Sequence, residues 1–319
     1  MLKHISEILP AIVKPEMKPL TPIQHRLETM PIEEDPDIVY QHSVLCQTTM
    51  PYRNPGDDTR FWVRKNGRVK LWLEAGHLLD PATDTPVQLG LPYGPKPRLV
   101  LYHLHAEAIR NTSPYIELED SLTAFVKRTL GLDKGGRTIR SVKEQLNRLA
   151  ATRFALGMSD GVRATTVQGV VFNRIELWTP QDERQRTLWP TTIQFSHDYF
   201  DSLFRHAVPL VEEAVARLSH SAMGLDLYTW LAERLHRVNP RKPALVPWVS
   251  LKEQFGEGYH RMVDFRRVFV RTLKRVKKVY PKAQFAADGR GLWLRNSPTP
   301  VPPRYHQIPA PIPAVPDRI

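Results

Sequence analysis

Apolar and polar positions alternate with a period of two over residues 38–47, 60–64 and 68–74, which predicts three strands. Asn66-Gly67 between the last two is a strong hairpin signal. Residues 92–97 read as a Pro-rich loop. From residue 98 to 110 the period lengthens to that of a helix, with Leu101, Leu104, Ala108 and Ile109 on one side. A strand over 115–118 and a helix over 121–130 follow, the helix carrying Leu122, Phe125, Val126 and Leu130. Gly131 and Gly135-Gly136 break the chain. A second helix is predicted over 138–152, then strands over 154–158 and 166–178. Helix, strand, helix, turn, basic helix and hairpin, in that order, describe a winged helix.

The middle of the chain reads as helical over 197–207, 212–218 and 221–238. Leu225, Tyr228, Leu231 and Leu235 mark the last as a core helix. The earlier order then returns in reduced form. It comprises a short strand at Trp248-Val249, a helix over 251–255 ended by Gly256, and a long helix over 261–280 stopped by Pro281. A hairpin over 284–295 turns at Asp288-Gly289-Arg290-Gly291. The fold class expected is α+β: two winged-helix domains, over 37–195 and 196–295, joined by a helical segment. Residues 1–36 hold six prolines and 297–319 hold eight. The first stretch reads as a flexible Pro-rich arm and 296–319 as a disordered Pro-rich tail.

Charge changes this picture most. The 319 residues carry a formal net charge of +12, with 45 Lys and Arg against 33 Asp and Glu. The excess is concentrated. Residues 96–163 hold 12 basic and 7 acidic side chains, and 241–295 hold 14 and 4. The segment between them, 164–240, is mildly acidic, with 7 and 9. Two separated basic segments predict two contact surfaces for a long polyanion, and DNA is the obvious one. The single cysteine, Cys46, excludes an intramolecular disulfide and Cys-rich zinc modules. With no membrane-spanning run and no apolar leader among residues 1–19, the expectation is a cytoplasmic chain, associated with nucleoid or plasmid and not with membrane.

The two basic helices differ in chemistry. In the C-terminal one, Met262, Phe265, Phe269, Leu273, Val276 and Tyr280 share a core stripe at about 100° per residue. Arg267, Arg271, Lys274 and Lys278 lie opposite, with Arg266 and Arg275 beside them. Nine Lys or Arg and one acid occupy 261–282. A merely solvated face mixes signs at i,i+4 spacing, and this one does not. The earlier helix buries Ile139, Val142, Leu146 and Leu149. Its outer side presents Arg137, Arg140, Ser141, Glu144 and Arg148, flanked by Gln145. Such mixed donors and acceptors can read base edges, whereas Lys alone finds phosphates. The competing reading is an ordinary amphipathic helix with a Ser141–Glu144 capping box. Lys134 before this helix and Arg290 in the hairpin turn complete the expected DNA contacts.

Three motifs suggest other chemistry. Gly131 to Thr138 resembles a phosphate-binding loop, but Arg137 stands where lysine belongs and a helix precedes it where a strand is needed. His103-Leu104-His105 resembles the His-hydrophobic-His motif of metal-dependent nickases. That motif needs a strand, and a helix splays the two rings by about 200°. Asp182, Glu183, Asp198 and Asp201 fall in a loop and at a helix start, which suits acids without any catalytic role. The expectation is a non-enzyme with no catalytic residue, metal or cofactor. A metal-dependent origin nickase and a plain transcriptional repressor are the alternatives.

An ordered series of segments is similar to plasmid replication initiators of the bacterial RepA type. The series starts with Leu91-Pro-Tyr-Gly-Pro-Lys-Pro-Arg-Leu99, Asp120-Ser-Leu-Thr-Ala-Phe125 and Ile139-Arg-Ser-Val-Lys-Glu-Gln-Leu-Asn-Arg148. It continues with Phe195-Ser-His-Asp-Tyr-Phe200, Ala222-Met-Gly-Leu-Asp-Leu-Tyr-Thr-Trp-Leu231 and Trp248-Val-Ser-Leu-Lys-Glu-Gln-Phe-Gly256. The resemblance spans about 40–295. It implies binding to repeated double-stranded origin sequences (iterons), local melting and autorepression. It also implies paired winged-helix domains, recruitment of host replication proteins such as a helicase and host initiator, and exchange between monomer and homodimer.

Overall fold

A computed structural model describes residues 37–80, 84–118, 122–132, 135–159, 162–178 and 189–302. The chain enters on β1 (Ile38–His42), which stops five residues short of the expected strand end and turns into α1 (Ser43–Gln47). His42 causes the switch: its Nδ1 accepts a hydrogen bond from Val44 N at 3.1 Å and caps the turn. Val44, Leu45 and Cys46 are thereby buried. The hairpin predicted by Asn66-Gly67 forms from β2 (Phe61–Asn66) and β3 (Val69–Glu74). Asn66 pairs with Val69, so Gly67 and Arg68 are the turn, and Gly67 takes the left-handed φ of 57°. A second hairpin, β4 (His77–Asp80) with β5 (Thr85–Gln88), follows where no strand was expected.

Two prolines open α2 (Pro95–Arg110), the predicted helix started one turn earlier. β6 (Tyr115–Glu117) leads into α3 (Leu122–Ala124), which continues as a π-helical turn over Phe125–Thr129. Next come α4 (Gly136–Ala151), β7 (Arg153–Ser159), β8 (Ala164–Val170), β9 (Phe172–Trp178) and β10 (Trp189–Phe195). The hairpin expected to flank α4 is thus really two hairpins. β7 and β8 join the β2–β3 hairpin in a four-stranded antiparallel sheet of order β2-β3-β7-β8. β6 instead pairs with β10, and β10 with β9, in a sheet of order β6-β10-β9. The long apolar alternation over 166–178 hid this break, which falls between Val170 and Phe172.

The second half runs α5 (His197–His206), β11 (Ala207–Val211), α6 (Glu212–Leu218) and α7 (Ala222–Arg234), with one 3-10 turn over Leu235–Arg237. Then come β12 (Ala244–Pro247), α8 (Trp248–Phe255), α9 (Met262–Val279), β13 (Phe285–Ala287) and β14 (Gly291–Leu294). The strand read at Trp248-Val249 lies one step earlier. Pro247 ends it and opens α8, where Trp248 is buried. The sheet order is β12-β14-β13, all antiparallel.

Two features cross the boundary placed between 195 and 196. β1 pairs with β11 from Ile38↔Val211 to His42↔Ala207. In addition, α7 packs against both α2 and α9. Every residue from Ala222 to Glu233 is buried, so α7 is the central helix of one continuous core. Arg98 on α2 is fixed to Asp226 on α7 by Nε–Oδ1 at 2.6 Å and Nη2–Oδ2 at 2.8 Å, both buried. The Arg98 guanidinium also donates to the carbonyls of Met50 and Gly94, so every polar edge of this buried charge is occupied.

The start of the Pro-rich tail is part of this core, against the expectation of disorder from residue 296. Ser297 N donates to Leu235 O, Tyr280 Oη donates to Pro298 O, and Val301 is fully buried. The arm, 1–36, and residues 303–319 lie outside the described residues.

Candidate nucleic-acid interface

α9 is built as its phase requires. Phe265, Phe269, Leu273, Val276 and Tyr280 are buried and Met262 half-buried, while Arg267, Arg271, Lys274 and Lys278 are exposed. The buried stripe packs on α6, α7 and α8, which leaves the cationic side outward. Asp264, the one acid on the helix, pairs with Arg267 at 3.0 Å in the first turn. Arg266 and Arg275 depart from the expected contact set, because both are half-buried. Arg266 lies over the Trp248 ring at 5.0 Å and braces α9 on α8. Arg275 Nη1 meets His220 Nε2 at 3.2 Å. Phase alone missed Arg261 and Lys282, which are also exposed. Lys277 is exposed too, but its ammonium caps the helix end on Pro281 O and Ala283 O.

Beside α9, the β13–β14 hairpin turns on Asp288. Its Oδ1 accepts from Arg290 N at 2.8 Å and Gly291 N at 3.1 Å, and its Oδ2 accepts from Trp293 Nε1 at 2.9 Å. Burial opposes the charge, but these donors and the Arg290 guanidinium outweigh it and hold the Asp288 carboxyl below its usual range. Trp248 Nε1 donates to Asp288 O, which ties the turn to α8. Gly291 is required by close approach, since a Cβ there would run into Val246 O on β12. Arg290 is therefore held exposed at the tip, stacked over Trp293 at 4.9 Å.

α4 presents a smaller face than its phase suggested. Arg137 and Arg140 are exposed and Ser141 is half-buried. Ser141 sits in mid-helix, so no Ser141–Glu144 capping box forms. Arg148, placed outward by the sequence, is buried. It bonds Asp57 Oδ1 at 2.8 Å, Glu144 Oε1 at 3.0 Å and Leu91 O at 3.3 Å, and it covers Tyr93 at 5.2 Å. This corrects its assignment as a base-reading residue: its donors already hold three acceptors. Glu144 is exposed but engaged with Arg148. Gln145 is buried and accepts from Tyr93 N at 2.8 Å. These partners come from residues 57–93, a sequence distance that helical phase does not register. Lys134 lies outside the described residues.

The histidine pair sits in α2, as the helical reading expected. His105 is fully buried, with Nδ1 at 3.2 Å from Tyr40 O and Nε2 at 2.9 Å from Tyr199 Oη. Burial pushes its pKa down to about 3, against the hydrogen bond to Tyr40, and that of His103 to about 4, with Arg110 adding to the shift. Both are neutral at pH 7. His103 faces Glu212 on α6 instead, at 3.9 Å. The phosphate-loop candidate follows the π-helical turn and not a strand, as its sequence context implied. Asp182 and Glu183 lie outside the described residues, and Asp198 and Asp201 are on α5.

The described chain is thus a mixed α/β protein of helices and antiparallel sheets with two cation-bearing helices. Residues 91–249 match the sequence profile of the family described as plasmid encoded RepA protein, and over that stretch the chain is similar to that family. The match supports a role as a plasmid replication initiator. Two solved structures are similar to the chain. The SeMet derivatives of domains 2 and 3 of RctB align at 11% identity and a TM-score of 0.48, covering 73% of this chain and 84% of that one. The RctB domains 2-3 fragment, 155–483, aligns at 11% identity and 0.47, covering 79% and 94%. No curated protein matches the chain. No helix among the described residues is long and apolar enough to cross a membrane.

Proposed function

We propose that this initiator binds double-stranded repeats (iterons) at its plasmid origin through two winged-helix units, and that it catalyses no reaction. In the first unit α4 is the reading helix and β9–β10 the wing. In the second, α9 grips the duplex and β13–β14, with Arg290 at its tip, is the wing. The observation that carries this reading is α9 in its setting. A helix with four exposed cations opposite its core stripe stands beside a three-stranded sheet of order β12-β14-β13, with an Asp288-organised turn. The parallel order α2, β6, α3, α4 and the sheet β6-β10-β9 supports the same design in the first unit. Arg137 and Arg140 are the base-reading candidates. Origin melting, recruitment of a helicase and host initiator, monomer–homodimer exchange and autorepression belong to the same proposal, in a cytoplasmic, plasmid-bound protein.

The test is a salt titration on origin duplex. Two helices neutralising roughly 6–10 phosphates lose about 10³–10⁵ in affinity between 50 and 200 mM salt. A nearly flat dependence refutes the two-surface reading. For the absence of catalysis, supercoiled origin DNA incubated with Mg²⁺ or Mn²⁺ should remain supercoiled. Metal-dependent nicking lost on replacing His103 and His105 by Gln would establish the nickase.

A further inference from the structure

The four-stranded sheet β2-β3-β7-β8 turns one face to the core and leaves the other open. Cross-strand partners share a face, so the registers define the open one row by row. One row is Phe61, Glu74, Arg153 and Val170; the next is Val63, Trp72, Ala155 and Gln168; the third is Lys65, Lys70, Gly157 and Thr166. The alternate residues Val69, Leu71, Leu73, Phe154 and Leu156 are buried. On the open side Phe61 is 53% exposed, Val63 49% and Trp72 45%, and the Phe61 and Trp72 rings meet edge to face at 5.6 Å. Large apolar groups kept this exposed in one patch mark a contact surface.

Its relief and its charge narrow the partner. Ala155 and Gly157 are the smallest residues of their rows and lie directly beside Trp72 and Lys70. Gln168 and Thr166 rise on the far strand. The result is a shallow trough with an aromatic wall, a small-residue floor and a hydrogen-bonding wall, two strand spacings or about 10 Å across. Lys65, Lys70 and Arg153 are all exposed, against one acid, Glu74, and no hydrogen bond or ion pair takes them among the described residues. Lys65 and Lys70 are direct cross-strand neighbours, an arrangement that costs stability in the absence of an anion. A second copy docked by a two-fold axis would set cations against cations. Duplex DNA has no free base faces to offer the two rings. We propose that this sheet face binds an unpaired DNA strand, with bases stacked on Trp72 and Phe61 and phosphates on Lys65, Lys70 and Arg153. The proposal takes only the choice of DNA as polyanion from the function proposed above; the site itself is separate from α4 and α9.

The experiment compares the full chain on a fluorescein-labelled oligothymidine of about 20 nucleotides and on a duplex of equal length, at equal salt. Wild type should bind both. W72A should lose roughly ten- to a hundredfold on the single strand, the range of one base–aromatic stack, and keep its duplex affinity. R271A should do the reverse. Single-strand affinity unchanged in W72A overturns the proposal, as does failure of wild type to bind the oligonucleotide. So does sedimentation showing that W72A only dissociates a dimer while strand affinity is kept. Should W72A fail to melt cooperatively, photocrosslinking of wild type to an iododeoxyuridine-substituted strand decides. An adduct on Trp72 or Phe61 supports the site, and adducts confined elsewhere overturn it. Loss of the duplex arm alone would count against the proposed function and not against this face.

Discussion

Single residues decide which charges face a partner. Arg148 and Arg140 lie on one helix, yet only Arg140 is exposed. We expect R140A to cost about 1–3 kcal/mol on cognate duplex and to relax base preference there. R148A should instead lower the melting temperature, because it strips the partners of Asp57, Glu144 and the Leu91 carbonyl. Equal loss on cognate and random duplex for R140A would contradict its reading role. The buried Arg98–Asp226 pair sets a larger energy. D226N leaves the guanidinium uncompensated in the core and should destabilise the fold by about 3–5 kcal/mol in urea unfolding. Acid should act through His42 and His105. Burial lowers both from an ordinary value of 6.5 to about 3, with His105 and His206 adding to the shift at His42. Their neutral forms are needed in the fold, whereas the unfolded chain binds protons below 6.5. The stability they support is therefore full above pH 6.5 and is lost as pH falls towards 3. Between pH 7 and 5 the loss should be about 2 kcal/mol for each. Replacing His105 by Gln should flatten that pH dependence; an unchanged slope would contradict it.

At the scale of elements, what the sequence shows depends on how far the information reaches. The α9 stripe was legible because period and charge lie within one helix, and its four outward cations are where the phase puts them. The start of α8 was not, since Trp248-Val249 looks like strand and only Pro247 before it marks a helix start. Sheet membership was also hidden. β7 pairs with β3, some eighty residues earlier, and β6 finds its partner in β10, neither of which alternation can announce. The candidate site was legible in part for the same reason: Arg148 and Gln145 were misplaced by partners distant in sequence. The β13–β14 hairpin offers a prediction of its own. G291A forces a Cβ against Val246 O and should distort the hairpin that carries Arg290. Weaker duplex binding with near-native helix content is the expected outcome, and unchanged binding would remove the hairpin from the proposed interface. R271A, on a rigid helix, should lower the salt slope by about one unit on all duplexes.

Across the whole molecule, two basic segments separated by an acidic one become two exposed helices held by one core around α7. β1–β11 pairing and the Arg98–Asp226 pair couple the halves, so the spacing of the two cation-bearing helices is set by the fold. A chain built this way should read a site longer than one helix can cover, and repeats of it at a fixed spacing. The most direct measurement is a hydroxyl-radical footprint of wild-type protein on its plasmid origin. The account predicts regularly spaced protected repeats, each with two protected patches, of which R140A and R271A each weaken one. A single protected patch per repeat, or protection without sequence preference, would contradict it.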